Sequence, residues 1–158
     1  MKLIDVLKPE YIKIPLSSST KEGVIKELIG VLHKEQAIED EDPVFQAAME
    51  REKIMTTGVG RQVAIPHCKL KDCNTFSIAF GISVNGIDFS AIDEQPVKIV
   101  FLLVGPEENP GMHIRLLSRI SRLISKETLR EKLLQVKSPE EAYDLLKTEE
   151  EKYFEIVS

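Results

Sequence analysis

Cysteine is scarce in this chain: Cys68 and Cys73 are the only two in 158 residues. Two thiols without paired CxxC spacing build neither a zinc ribbon nor a disulfide framework, so both are read as free thiols. Histidine is nearly as scarce, with three. No HxH, HExxH or clustered-carboxylate pattern accompanies His67 or His113, which argues against a metal-dependent hydrolase built on the two. No metal and no cofactor is expected. Long apolar runs are missing as well. None approaches the roughly 18 to 20 residues that span a bilayer, and Met1-Lys2-Leu3-Ile4-Asp5 opens no signal-peptide apolar segment. The expectation is a cytoplasmic protein that inserts nothing into a membrane. Positive charge is in deficit: 21 Lys and Arg against 26 Asp and Glu leave a formal net charge of −5, with a pI near 5.3. That balance argues against a nucleic-acid or anionic-membrane binder and suits partners with basic surfaces.

What is present is ordinary for a globular domain, with 42% apolar and 30% charged residues. A chain of this length fits one domain that buries roughly two-thirds of its extended surface. No repeat or low-complexity linker divides it; the one biased run is charged and lies near the end. The expected division is a domain over 1–148 and a charged tail over 149–158, which either extends the last helix or stays free.

Hydrophobic periodicity places the elements. Tyr11 to Leu16 alternates as a short strand, with Pro15 favouring an edge. Ser19 and Glu22 form a capping box ahead of a helix over 20–35, whose buried stripe is Val24, Ile25, Leu28, Ile29 and Leu32. His33 falls on the flank of that stripe and reads as a surface residue. Asp42-Pro43 opens a second helix toward Lys53, with Arg51 and Glu52 in its last turn. Phe76 to Val84 alternates bulky and small residues, a strand with room for helices on its small face. Asn85-Gly86 and Ile87 to Phe89 read as turn and connection. Val97 to Val104 is almost continuously apolar, the pattern of a central strand covered on both sides. Asn109-Pro110 caps a helix with Leu116, Leu117, Ile120, Leu123 and Ile124 in its stripe and His113 in its first turn. Helices around 126–136 and from Ser138-Pro139 through Leu146 follow. The fold class is α/β: a single domain with a mixed parallel and antiparallel sheet of about five strands, flanked by helices on both faces.

The chemistry concentrates in Thr57-Gly58-Val59-Gly60-Arg61-Gln62-Val63-Ala64-Ile65-Pro66-His67-Cys68. A strand signal over Val63 to Ile65 meets Pro66, which lacks a donor and ends the ladder, so His67 is delivered at a strand edge or exit. Gly58 and Gly60 leave backbone amides open in a loop suited to a phosphate or a close partner. Imidazole is substantially neutral near pH 7 and a good nucleophile in that form, so His67 can carry a phosphoryl group. His113, at a helix N-terminus, sits where anions are favoured and the imidazolium is not. On the residues alone, Arg51 reads as a helix-end cation and His113 as a core or capping histidine.

Glu52, Val59-Gly60 and Val63-Ala64-Ile65-Pro66-His67-Cys68, together with Arg51, Gly111-Met112-His113 and Leu116 to Ile120, resemble the phosphohistidine signature of the fructose, mannitol and nitrogen-type EIIA domains of the bacterial phosphoenolpyruvate-dependent phosphotransferase system. The resemblance runs from about Leu3 to Leu146. It implies that phospho-HPr donates a phosphoryl group to His67, that His113 hydrogen-bonds the imidazole or the phosphoryl group, and that Arg51 supports the phosphorylated site. The acceptor it implies is a cysteine of a separate EIIB protein or domain in fructose- or mannitol-type sugar uptake. The alternative is a nitrogen-type regulator whose phosphorylation state controls binding to target proteins. Arg61-Gln62 departs from the Asn-Gly common in that family, which raises the hypothesis that Arg61 contacts phosphate or selects partners.

Overall fold

A computed structural model describes residues 1–155. Two 3-10 turns (Leu3–Asp5 and Pro9–Tyr11) lead into β1 (Ile12–Lys13), then come α1 (Lys21–Lys34), α2 (Glu41–Ile54), β2 (Gly58–Gly60), β3 (Val63–Ala64), β4 (His67–Leu70), β5 (Ser77–Ile87), β6 (Val97–Pro106), α3 (Pro110–Ile124), α4 (Glu127–Leu133) and α5 (Pro139–Glu155). The sheet has six strands in the order β1-β5-β6-β3-β2, with β4 also on β6. Pairing is mixed, since β5 lies antiparallel to β6 while β3 and β4 run parallel to it. The α/β reading holds, and the strand count is one more than expected.

The nearly unbroken apolar run makes β6 the centre of the sheet. Val97 and Ile99 through Pro106 are all buried, so successive side chains are covered on both faces. On β5 the bulky Ile78, Phe80 and Ile82 are buried, and so are the small residues between them, where a Cβ on Gly81 would stand 2.6 Å from Leu16. Phe80 and Phe101 meet edge-on across the β5–β6 pair, with ring centroids 4.8 Å apart, a favourable arrangement for two buried rings.

Several boundaries differ from the sequence reading, each for a local reason. The α1 cap is Thr20, whose side chain accepts from the Gly23 amide at 3.0 Å, one residue beyond the expected Ser19. The α2 cap is Asp40, so Pro43 occupies the third helical position rather than the first; its missing N–H is still among those with no intrahelical partner. Asn85-Gly86 does not end β5, which continues to Ile87 across an irregularity with Gly86 at φ 85°. Gly58–Gly60, read as a loop, forms β2 against β3. Pro66 does not end the ladder either: its carbonyl accepts from the Leu103 amide at 3.0 Å. The register carries through from Val63 opposite Ile99 to His67 opposite Leu103.

The α3 cap is as expected: the Asn109 side chain accepts from the Met112 amide at 3.3 Å and Pro110 is the first helical residue. Beyond Leu146, α5 continues through the charged segment to Glu155. Glu150 is buried there and accepts from the Leu3 amide at 2.8 Å and from Arg119 Nε at 3.1 Å. Residues 156–158 of the tail lie outside the described residues. No helix among the described residues is long and apolar enough to cross a membrane.

Candidate functional site

His67 is the first residue of β4, in register with Leu103 of β6. Its side chain shares a strand face with Lys69, while Cys68 points to the other face. Burial pushes the Cys68 thiol up to about 12, so it stays protonated and unreactive. Cys73 is the other free thiol.

His67 Nδ1 lies 2.7 Å from the Ile65 carbonyl oxygen. A carbonyl has no proton to give, so Nδ1–H donates and the neutral ring leaves Nε2 bare. Burial, followed by the positive charges of Arg51 and Lys69, lowers the imidazole from its ordinary 6.5; the Ile65 bond and the Glu52 charge oppose that shift. The neutral form therefore prevails at pH 7, with an unprotonated nitrogen available as a nucleophile.

His113 stands on the core side of the first turn of α3, 1% exposed. Its ring centroid is 5.5 Å from that of His67, at an interplanar angle of 56°, and the Phe76 ring lies 6.2 Å away on another side. Gly105 makes room for Phe76, since a Cβ there would fall 2.3 Å from the phenyl ring. Neither His113 nitrogen has a hydrogen-bond partner, and burial, aided by His67 and Lys69, lowers its pKa to about 4. A buried polar group left without partners in a native fold points to a role outside packing. A neutral imidazole beside the bare Nε2 of His67 can donate an N–H to a group carried on that nitrogen.

Arg51, in the last turn of α2, donates from Nη1 to the Met55 carbonyl at 2.8 Å. It thus closes the helix end as the residues alone suggested, and it also places positive charge within electrostatic reach of His67. The structure brings these three expected site residues into one neighbourhood. It separates Arg61 from them. Arg61 Nη1 donates to the carbonyl of Ser125, the C-cap of α3, at 3.3 Å, and twelve residues of helix, about 18 Å, separate Ser125 from His113. The phosphate-contact hypothesis for Arg61 is overturned on that distance. The Gly60 turn nevertheless keeps the path that Asn-Gly would give: Arg61 and Gln62 hold φ 58° and 68° in a two-residue hairpin, the conformation for which Asn-Gly is best suited.

On the residues alone Glu52 either orients Arg51 or forms a surface ion pair. It is 7% exposed, bonded to the Thr57 hydroxyl and to Lys21 Nζ at 3.1 Å. A non-local partner in α1 was needed to reveal it; the one available signal was its place beside Arg51 in the signature. Among the described residues no group of three or more His, Cys, Asp or Glu side chains is placed to hold a metal ion.

Residues 5–149 match the family described as "Phosphoenolpyruvate-dependent sugar phosphotransferase system, EIIA 2", and the chain belongs to it. It is 35% identical over 146 residues to the fructose-specific EIIABC component of Bacillus subtilis, covering 92% of this chain but 23% of that protein. It is 36% identical over 137 residues to the fructose-specific EIIA component of Haloferax volcanii, covering 87% of this chain and 89% of the relative. Among solved structures, the nitrogen regulatory protein IIA-Ntr of Neisseria meningitidis superposes with a TM-score of 0.84 at 30% identity, covering 90% of this chain and 97% of that one. A phosphotransfer component is the class that family and fold define.

Proposed function

We propose that the protein is a phosphohistidine carrier: Nε2 of His67 takes a phosphoryl group from phospho-HPr and passes it to a cysteine of a separate EIIB in the cytoplasm. The observation that carries this reading is the 2.7 Å contact of His67 Nδ1 with the Ile65 carbonyl, which fixes the tautomer and leaves the other nitrogen free to attack. As the N–P bond to His67 forms, the N–P bond to the donor histidine breaks, and the second transfer exchanges that bond for S–P on the acceptor. A loose transition state of this kind asks for position and charge stabilisation. His113 supplies an N–H donor and Arg51 a fixed cation. Exposed Ile54 and Met55 beside Arg51, and Ile114 beside His113, offer apolar surface where a carrier has to dock.

The fructose-type relatives favour sugar uptake. The nitrogen-type reading rests on the similarity to the Neisseria protein, and in it the added charge on His67 switches the binding of target proteins. The test is incubation with phosphoenolpyruvate, Enzyme I and HPr, followed by intact mass, and then addition of EIIB domains. One acid-labile phosphoryl group that passes to a fructose- or mannitol-type EIIB supports the transport reading. Labelling with no transfer to any EIIB supports the regulatory one, and no labelling beside a working control EIIA refutes both.

A further inference from the structure

One buried carboxylate beside the site has no part in the transfer steps above. The Glu52 side chain is 2% exposed. Its Oε1 accepts from the Thr57 hydroxyl and from the Thr57 amide at 3.2 Å, and its Oε2 faces Lys21 Nζ at 3.1 Å. Lys21, the first residue of α1, also lies over the Phe89 ring at 5.3 Å, while the Thr56 hydroxyl donates to the Phe89 carbonyl at 2.6 Å. The carboxylate thus ties the end of α2, the start of α1 and the segment that enters β2 into one unit.

The bonds continue toward the imidazole. The Thr57 carbonyl accepts from the Ile65 amide at 3.0 Å, and the Ile65 carbonyl accepts from His67 Nδ1–H at 2.7 Å. Glu52, Thr57, Ile65 and His67 therefore form an unbroken hydrogen-bonded series, with two backbone residues between the carboxylate and the ring. Building on the carrier reading of His67, we propose that Glu52 is the positioning residue of the site, holding the Ile65 carbonyl where it fixes the His67 tautomer that leaves Nε2 free. The series acts by placement. Each buried bond is satisfied only if its neighbours are in position, and a misplaced reacting atom is costly to the rate. The charge of Glu52 also counters those of Arg51 on α2 and Lys69 on β4 at His67. Among the described residues, Lys21 on α1 and His113 on α3 also face this cluster.

The test uses the whole chain in its unphosphorylated form, then phosphoramidate as a small donor, whose own P–N bond breaks and releases ammonia as the bond to Nε2 forms. Nitrogen-15 NMR reads the His67 tautomer and its titration midpoint. In Glu52→Gln the expected results are a mixed tautomer, a lower His67 midpoint and phosphorylation roughly tenfold slower. Adding Lys21→Met, which removes the ammonium left unpaired, recovers thermal stability but not the tautomer. A folded Glu52→Gln with wild-type tautomer, midpoint and rate overturns the proposal. If that variant does not fold, Thr57→Val carries the test: slower phosphorylation with a mixed tautomer supports the proposal, and wild-type values overturn it. Failure of the wild-type protein to take phosphate would refute the carrier reading, while the tautomer comparison would still decide the role of Glu52.

Discussion

The rings of His67 and His113 stand 5.5 Å apart, and within the fold only the first has a hydrogen-bond partner. That asymmetry separates their roles. On the proposed reading the bonded ring, held in one tautomer, is the nucleophile, and the other keeps a free N–H beside it.

Replacing His113 by alanine is therefore expected to slow phosphoryl transfer about 100-fold without abolishing it, the scale of one lost donor to a charged transition state. Single-turnover labelling from phospho-HPr measures this. A rate equal to wild type would reduce His113 to a packing residue.

His113 also sets a pH dependence of stability. Its folded pKa is about 4 against 6.5 for the free side chain, so between those values the unfolded chain binds the extra proton and acid favours unfolding. The stabilisation is complete above pH 6.5 and is lost as pH falls toward 4, worth roughly 3 kcal/mol in all. Denaturation of His113→Phe, which has no proton to gain, is expected to show a flatter pH profile over that window.

The hairpin at Arg61-Gln62 holds two non-glycine residues at positive φ, where a Cβ is penalised. Gln62→Gly is expected to raise stability by about 1 kcal/mol in urea titration and to leave the transfer rate unchanged, because the turn lies at the far end of α3 from His113. A slowed transfer would mean that the hairpin conformation reaches the site.

Ending the chain after Thr148 removes Glu150 from the Leu3 amide and Arg119, the Phe154 ring from beneath Arg119 at 3.7 Å, and the Lys126–Glu149 pair. Arg119 loses its carboxylate and its stacked ring together, and the Leu3 amide loses its acceptor. The truncated chain is expected to melt well below the full one, and equal melting would show that 1–148 is a self-sufficient domain.

Periodicity sufficed where packing is uniform along an element: β6 is buried at every position except Lys98, and the α1 stripe faces one core. It failed where a partner elsewhere decides the structure. Gly58-Val59-Gly60 has no strand pattern of its own and becomes β2 because β3 turns back on it. Glu149 and Glu150 look like tail until Lys126 pairs with the first and Arg119 and the Leu3 amide with the second. The site was legible in part for the same reason. The local sequence carries His67, whereas the burial of Glu52 depends on Lys21, 31 residues earlier, and the isolation of His113 depends on the packing of α3 against the sheet.

The most direct test of the central claim is the nitrogen that bears phosphate. NMR of protein phosphorylated by phospho-HPr, with His67 and His113 assigned, is expected to show one phosphoryl group on Nε2 of His67 and none in His67→Ala. Phosphate on Nδ1, on His113, or retained after His67 is replaced would contradict the account.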